Sequence, residues 1–263
     1  MRAAHVDPFA GVSGDMLLGA VIDSGVPAEE IVATLDGLGL DGWDLETSTV
    51  SRAGLGATQA VLSVRDDGVI RTWAHVREMI SGAKVPEPVR FRALATFRRL
   101  AEAESAIHRR TIERVHFHEV GALAALLEIV GVCAGLHLLE LATIVCGPVA
   151  QGVGMRRTEH GLLPIPAPIV LELLRGAPTY SSGVTHELCS PTGAALLAEW
   201  ADRWGPMPPM AIDRVGYGAG PRGDIDRPHL LRMVIGEAID TPPAAWERQE
   251  RQMAEGDQPL DSA

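Results

Sequence analysis

Cysteine is scarce: Cys133, Cys146 and Cys189 are the only three in 263 residues. An odd, scattered set excludes a disulfide scaffold. The lack of any CxxC pair excludes a thiolate metal cage, and a reducing cytosol is the expected compartment. Positive charge is short as well. Lys and Arg total 23 against 34 Asp and Glu, a net charge of −11. A general nucleic-acid binder needs the opposite balance, so no nucleic-acid partner is expected. The basic residues that do cluster are Arg90, Arg92, Arg98, Arg99, Arg109 and Arg110, with Glu102 and Glu104 among them and no aromatic stacking platform. They read as a solvated helix face, with docking of an anionic partner or substrate as the other reading. No apolar run is long enough to span a bilayer, because 120–145 is broken by Glu128, His137 and Glu140. Residues 1–7 lack the apolar stretch and cleavage site of a signal peptide. A cytoplasmic chain with no membrane partner is therefore expected.

What is present is ample hydrophobic material, 46% of the chain, enough for a sizeable core. Residues 2–7 read as a short strand, and a Gly-rich turn leads to a helix with Ser13 as N-cap. Gly25 ends that helix and Pro27 opens another. Strands are expected at 45–50 and 57–64, then helices at 72–81 and 87–109, the second opened by Pro86 and Pro88. A helix over 122–139 and a short strand over 143–146 follow. The Gly- and Pro-rich stretch 147–168 reads as a shaped loop rather than a regular element. Helices at 169–174 and 191–200 and strands at 210–217 and 230–235 complete the body. Residues 238–263 are polar and Pro-rich and read as a disordered tail to a 1–237 domain. Strands and helices mix without strict alternation. This favours an α+β fold, a mixed sheet with several packed helices, over a doubly wound sheet.

The most informative segment is His116-Phe117-His118-Glu119. In extended backbone, His116 and His118 share a face. Both imidazoles can reach one divalent first-row metal, with Glu119 as an oxygen ligand or general base. The structural reading is a hydrogen-bonded buried pair, and the local sequence leaves both open. Gly11-Val12-Ser13-Gly14-Asp15 fails as a nucleophile elbow, since Asp15 stands where a glycine is required. Its glycines and the helix start fit an anion site, with Asp7 and Asp15 placing a cation or hydroxyl; a plain capped turn fits as well. Arg156 and Arg157, on a loop stiffened by Pro164, Pro166 and Pro168, can clamp phosphate or carboxylate. His160 is a further metal ligand or acid–base group. The alternative is an exposed loop with a surface histidine. Thr192-Gly193 at a helix start suggests anion contact. Cys189 is a soft ligand or a packed thiol. The glycines of 216–220 allow close ligand approach but lack the Lys and Ser/Thr of a P-loop.

In order along the chain, Asp7 to Met16, Val115 to Ala122, His160 to Pro168, Glu187 to Ala195 and Tyr217 to Gly220 with Arg227-Pro228 and Leu231-Arg232 resemble the LarC-type nickel-insertion family. The resemblance implies nickel insertion into a pyridinium bisthiocarboxylate mononucleotide. The product would be the nickel-pincer cofactor of lactate racemase-type enzymes. It also implies CTP hydrolysis with manganese or magnesium, the CTP bound by a separate C-terminal partner chain. By the same resemblance His116, His118 and Glu119 are the metal candidates, with His160 a weaker fourth. Asp7, Asp15, Glu119 and His160 are assigned catalytic roles. Gly11, Ser13, Gly14, Arg156, Thr192 and Gly193 are assigned to cofactor binding, and Glu187 lies near the substrate. A homo-oligomer is expected. The sequence departs from the family where two aspartates are usual, carrying Ala124 and Glu128 instead. Two other readings remain: a non-catalytic nickel or cofactor carrier, and a metal-dependent hydrolase of a phosphorylated substrate.

Overall fold

The structure is a computed structural model that describes residues 1–65, 71–117, 123–158, 161–221 and 228–239. The chain opens with β1 (Arg2–Asp7), α1 (Gly14–Asp23), α2 (Ala28–Asp36), and the strand pair β2 (Trp43–Arg52) and β3 (Leu55–Val64). Helices α3 (Trp73–Gly82) and α4 (Glu87–His108) follow, then a 3-10 turn (Ile112–Arg114) and α5 (Leu123–Leu138). Next come β4 (Thr143–Cys146), β5 (Val149–Gln151), β6 (Gly154–Thr158), β7 (Gly161–Ile165), α6 (Pro168–Leu173) and β8 (Thr179–Ser181). The last elements are α7 (Pro191–Trp200), β9 (Arg203–Trp204), β10 (Met210–Ala219) and β11 (Leu230–Ala238).

Seven of the described strands form one mixed sheet in the order β2-β3-β10-β11-β1-β4-β9. β11 is the middle strand, and β1 beside it is antiparallel to β11 and parallel to β4. The expected α+β class with a mixed sheet is what forms. α5 is apolar on nearly every side and is almost wholly buried, as a helix without a polar face must be. It packs against α1, α2, α4 and α7 and is the axis of the helical layer. Phe97 of α4 meets Phe117 edge-on, with ring centroids 6.0 Å apart, at the centre of that layer.

Most boundaries match the pattern of the sequence. Thr72 caps α3 by accepting a hydrogen bond from the His75 amide. Ser13 does occupy the N-cap position of α1, in extended backbone, but its hydroxyl makes no capping bond. The segment 147–168 differs from expectation: it holds β5 and the antiparallel hairpin β6–β7, in register from Gly154 opposite Ile165 to Thr158 opposite Gly161. Proline argued against strands there, yet both strands of an isolated hairpin are edges. Pro164 on such an edge need lose no ladder bond. The Gly-rich stretch 216–220 also differs. Its space is taken up by packing, since a Cβ on Gly218 would lie 1.7 Å from the Met16 carbonyl oxygen. The expected tail, 238–263, starts too early: Ala238 is the last residue of β11, opposite Met210, and Ile239 donates to the Pro209 carbonyl at 2.9 Å, while residues 240–263 lie outside the described residues.

Candidate functional site

β1 and β4 run parallel and end together at Asp7 and Cys146. The crevice beyond such carboxyl ends is where open sheets bind ligands. Here the chain after β1 is held by both neighbours. The Gly147 amide donates to the Val6 carbonyl at 2.8 Å, and Ala150 donates to Pro8 at 3.2 Å. Val12 donates to Leu188 at 3.0 Å, and Ser190 returns a bond to Val12 at 2.9 Å. Gly11 sits at φ +90°, and a Cβ there would lie 2.1 Å from the Leu188 oxygen. A Cβ on Gly193 would lie 2.6 Å from the Val12 oxygen. These glycines let the N-termini of α1 and α7 meet, so two residue groups about 180 positions apart in sequence become one site. The Gly193 amide already donates to Ser190 Oγ at 3.1 Å, and Thr192 is buried beside it.

Asp7 closes the end of β1. Its Oδ2 accepts a 2.6 Å hydrogen bond from Arg232, the residue directly opposite on β11. His5 lies on the same face of β1, two residues back, and is buried. Burial holds its pKa below the usual imidazole value, the bond to the Gly205 carbonyl and the charge of Asp7 opposing this only in part.

Asp15 stands in the first turn of α1 beside Glu128 of α5. A Cβ on Gly14 would lie 2.4 Å from Glu128 Oε2, so Gly14 is what admits this carboxyl over the helix start. Helix N-termini favour carboxylate by up to about 2 kcal/mol. Loss of hydration outweighs that here: burial, with the negative charge of Asp15 adding to it, raises Glu128 to about 8. Burial also raises Asp15 above the ordinary carboxylate range. The Ser13 hydroxyl lies beside the pair, and its hydrogen bond to the Asp15 carboxyl opposes that rise in part.

The other expected residues lie apart. Arg156 of β6 forms an ion pair with Glu187, so an incoming anion would compete with that carboxylate. Phe9, Ala10 and Leu188 line a cavity of about 220 Å³ together with Ser182, His186 and His229. The two imidazoles there face each other edge-on at 6.2 Å. His116 is exposed and bridges to Thr72 in extended backbone, while Phe117 turns into the core, as the alternation required. It lines a different cavity from the Phe9 pocket. His118, Glu119 and His160 lie outside the described residues. Among the described residues no three His, Cys, Asp or Glu side chains converge as a metal site. All three cysteines are buried and pushed up to about 12 by burial, so Cys189 is a packed thiol, 3.3 Å from the Ala150 carbonyl.

Sequence reasoning missed His5, Arg232 and the His186–His229 pair as neighbours of the site. A period-two reading of β1 would have found His5 beside Asp7. Nothing local could have found Arg232, whose place is set by the β1–β11 register.

Among the described residues no helix is long and apolar enough to cross a membrane. No solved structure matches the chain. A family model described as "Nickel insertion protein" matches residues 4–258. A pyridinium-3,5-bisthiocarboxylic acid mononucleotide nickel insertion protein of a Nocardioides species is 45% identical over 240 residues, covering 91% of this chain and 61% of that protein. The protein of the same name from Desulfitobacterium hafniense is 41% identical over 240 residues, covering 91% of this chain and 60% of its own length. The chain thus spans about three fifths of the length of these relatives, and by the match over almost its whole length it belongs to the nickel insertion protein family.

Proposed function

We propose that this chain carries out the nickel-handling part of nickel insertion into a pyridinium bisthiocarboxylate mononucleotide. The observation that supports it best is the identity of over 40% across nine tenths of the chain to two proteins named for that reaction. In this reading nickel is a substrate. His116, His118 and Glu119 collect it, an incomplete set that leaves positions open for the incoming sulfurs. Asp7, Asp15 and His160 stand by the reacting groups. Forming a carbon–nickel bond at a ring C–H releases a proton, and the buried Asp15, whose neighbour Glu128 already holds its own proton, is suited to receive it. Carboxyl groups raised by burial bind protons more strongly than ordinary ones. Gly11, Ser13, Gly14, Arg156, Thr192 and Gly193 contact the mononucleotide.

The reading includes CTP hydrolysis with manganese or magnesium, the nucleotide held by a separate partner chain. The described residues of the Gly-rich 216–220 stretch do not fit a triphosphate cradle, because α1 fills the space against Gly216 and Gly218. The product would serve lactate racemase-type enzymes of the cytoplasm.

Equilibrium nickel binding, with zinc and manganese as competitors, tests the first step. Binding at micromolar concentrations or tighter that is lost in the folded double variant His116→Ala/His118→Ala is the expected result. Unchanged nickel affinity in that variant would remove these residues from the reaction.

A further inference from the structure

The six-arginine patch of the sequence separates into two groups in the fold. Arg90 pairs with Glu87, Arg98 with Glu102, and Arg92 and Arg99 both with Glu199, while Arg92 also lies over the Trp200 ring. These four are absorbed by intramolecular contacts. Arg109 and Arg110 have no carboxylate partner among the described residues, and neither does Arg114. All three line one cavity of about 690 Å³, with Thr72, Thr111, Glu113 and His116 as its other walls. Small-ligand pockets commonly measure about 300–1,000 Å³.

Three guanidinium groups against one carboxylate form a local positive basin on a chain whose net charge is −11. Like charges gathered without partners repel, so the arrangement favours an anion in the cavity. Guanidinium forks match phosphate oxygens bidentately, and the Thr111 hydroxyl adds a neutral donor. Arg109 gives a second indication. It caps α4 in left-handed backbone at φ 50°, a position that glycine fills at lower cost. An arginine there supplies a side chain that the cap itself does not require. His116, the first histidine of the HxHE motif, is a wall of the same cavity, so an anion held there would lie next to that imidazole.

We infer that this basin is a phosphate subsite. Arg109, Arg110 and Arg114 grip the 5′-phosphate of a pyridinium mononucleotide and thereby set its ring near His116. The inference rests on the insertion reading for the identity of the ligand, but the arginine-dependent binding of a phosphate does not.

The test uses the full chain and titration calorimetry with nicotinate mononucleotide, a stable pyridinium carboxylate carrying one phosphate. Nicotinate riboside, which lacks the phosphate, and CTP form the other two arms. The variants are Arg109→Gln/Arg110→Gln/Arg114→Gln, the single Arg114→Gln in case the triple variant fails to fold, and Arg98→Gln as a control. Mononucleotide affinity should fall about tenfold or more in the triple variant and severalfold in the single one, with the control unchanged. Riboside binding should be weak and indifferent to all of them. Mononucleotide binding within about twofold of wild type in the folded triple variant, or none by the wild type itself, would overturn the inference. So would arginine dependence seen with CTP alone. Nickel affinity is measured beside these as a separate readout. A chain that binds the mononucleotide through these arginines yet takes up no nickel would refute insertion and keep the subsite.

Discussion

Replacing Glu128 by Gln should stabilise the protein, and by an amount that grows with pH. Glu128 lies against the first turn of α1 with its pKa raised from the usual 4.5 to about 8, burial being the larger cause and Asp15 the smaller. The folded protein therefore holds a proton there that the unfolded chain releases. Stability from this group is fully present below pH 4.5 and is lost as pH rises through about 8. Over that window the unfolded state binds about one proton fewer, so stability falls by about 1.4 kcal/mol per pH unit. Gln mimics the protonated acid in shape and cannot ionise. The variant should therefore exceed wild type by about 1 kcal/mol near pH 5 and about 3 kcal/mol near pH 7, the gain levelling off above about pH 8. His5 acts in the opposite sense. Its lowered pKa means that stability is lost as pH falls below the ordinary imidazole range, so the wild-type profile alone sums His5 with the Asp15–Glu128 pair. The difference between the two proteins cancels His5. Urea unfolding followed by fluorescence of the five tryptophans, at several pH values, gives that difference directly. Parallel profiles for the two proteins would refute a buried, protonated Glu128. A variant less stable than wild type at neutral pH would show that Glu128 is ionised and partnered.

Three further outcomes follow from the same geometry. Gly193→Ala pushes a methyl against Val12 and Ser13 at 2.6–2.7 Å in the joint between α1 and α7; overpacking of this kind costs about 1–3 kcal/mol, and a thermal melt no lower than wild type would show that the joint yields. Asp7→Asn breaks the 2.6 Å pair with Arg232, which is partly exposed, so unfolding free energy should change by less than about 1 kcal/mol while insertion activity falls sharply; a variant that melts much earlier would make Asp7 structural. Glu199→Ala leaves Arg92 and Arg99 without the carboxylate they share between α4 and α7. A loss of about 1–3 kcal/mol in urea unfolding is expected, and a neutral result would show that solvent replaces the bridge.

The fold was legible where local chemistry dictates it, and the site was legible only up to its neighbours. Prolines, caps and periodicity located α1, α3, α4 and α7 within a residue or two, because each signal acts on the backbone next to it. The β6–β7 hairpin was misread for the same reason. Glycine and proline in 147–168 point to a loop, yet proline is compatible with an edge strand, and whether a strand is an edge is decided by partners the local sequence does not name. The site shows the same divide more sharply. Asp7, Gly11 and Asp15 stand out locally, yet what gives them chemistry comes from afar: Arg232 through strand register, Leu188 and Gly193 through helix docking, Glu128 through the space at Gly14. Glu128 stands out in the sequence as a break in the apolar 120–145 run and as a position where the resemblance implies aspartate. The fold turns that change into a physical one. The added methylene lies among buried groups over a helix start, where a carboxyl group keeps its proton at neutral pH. A shorter acid there would have to be tested by the same titration. Glu128→Asp removes that methylene, and a smaller loss of stability with rising pH than in wild type is the expected outcome.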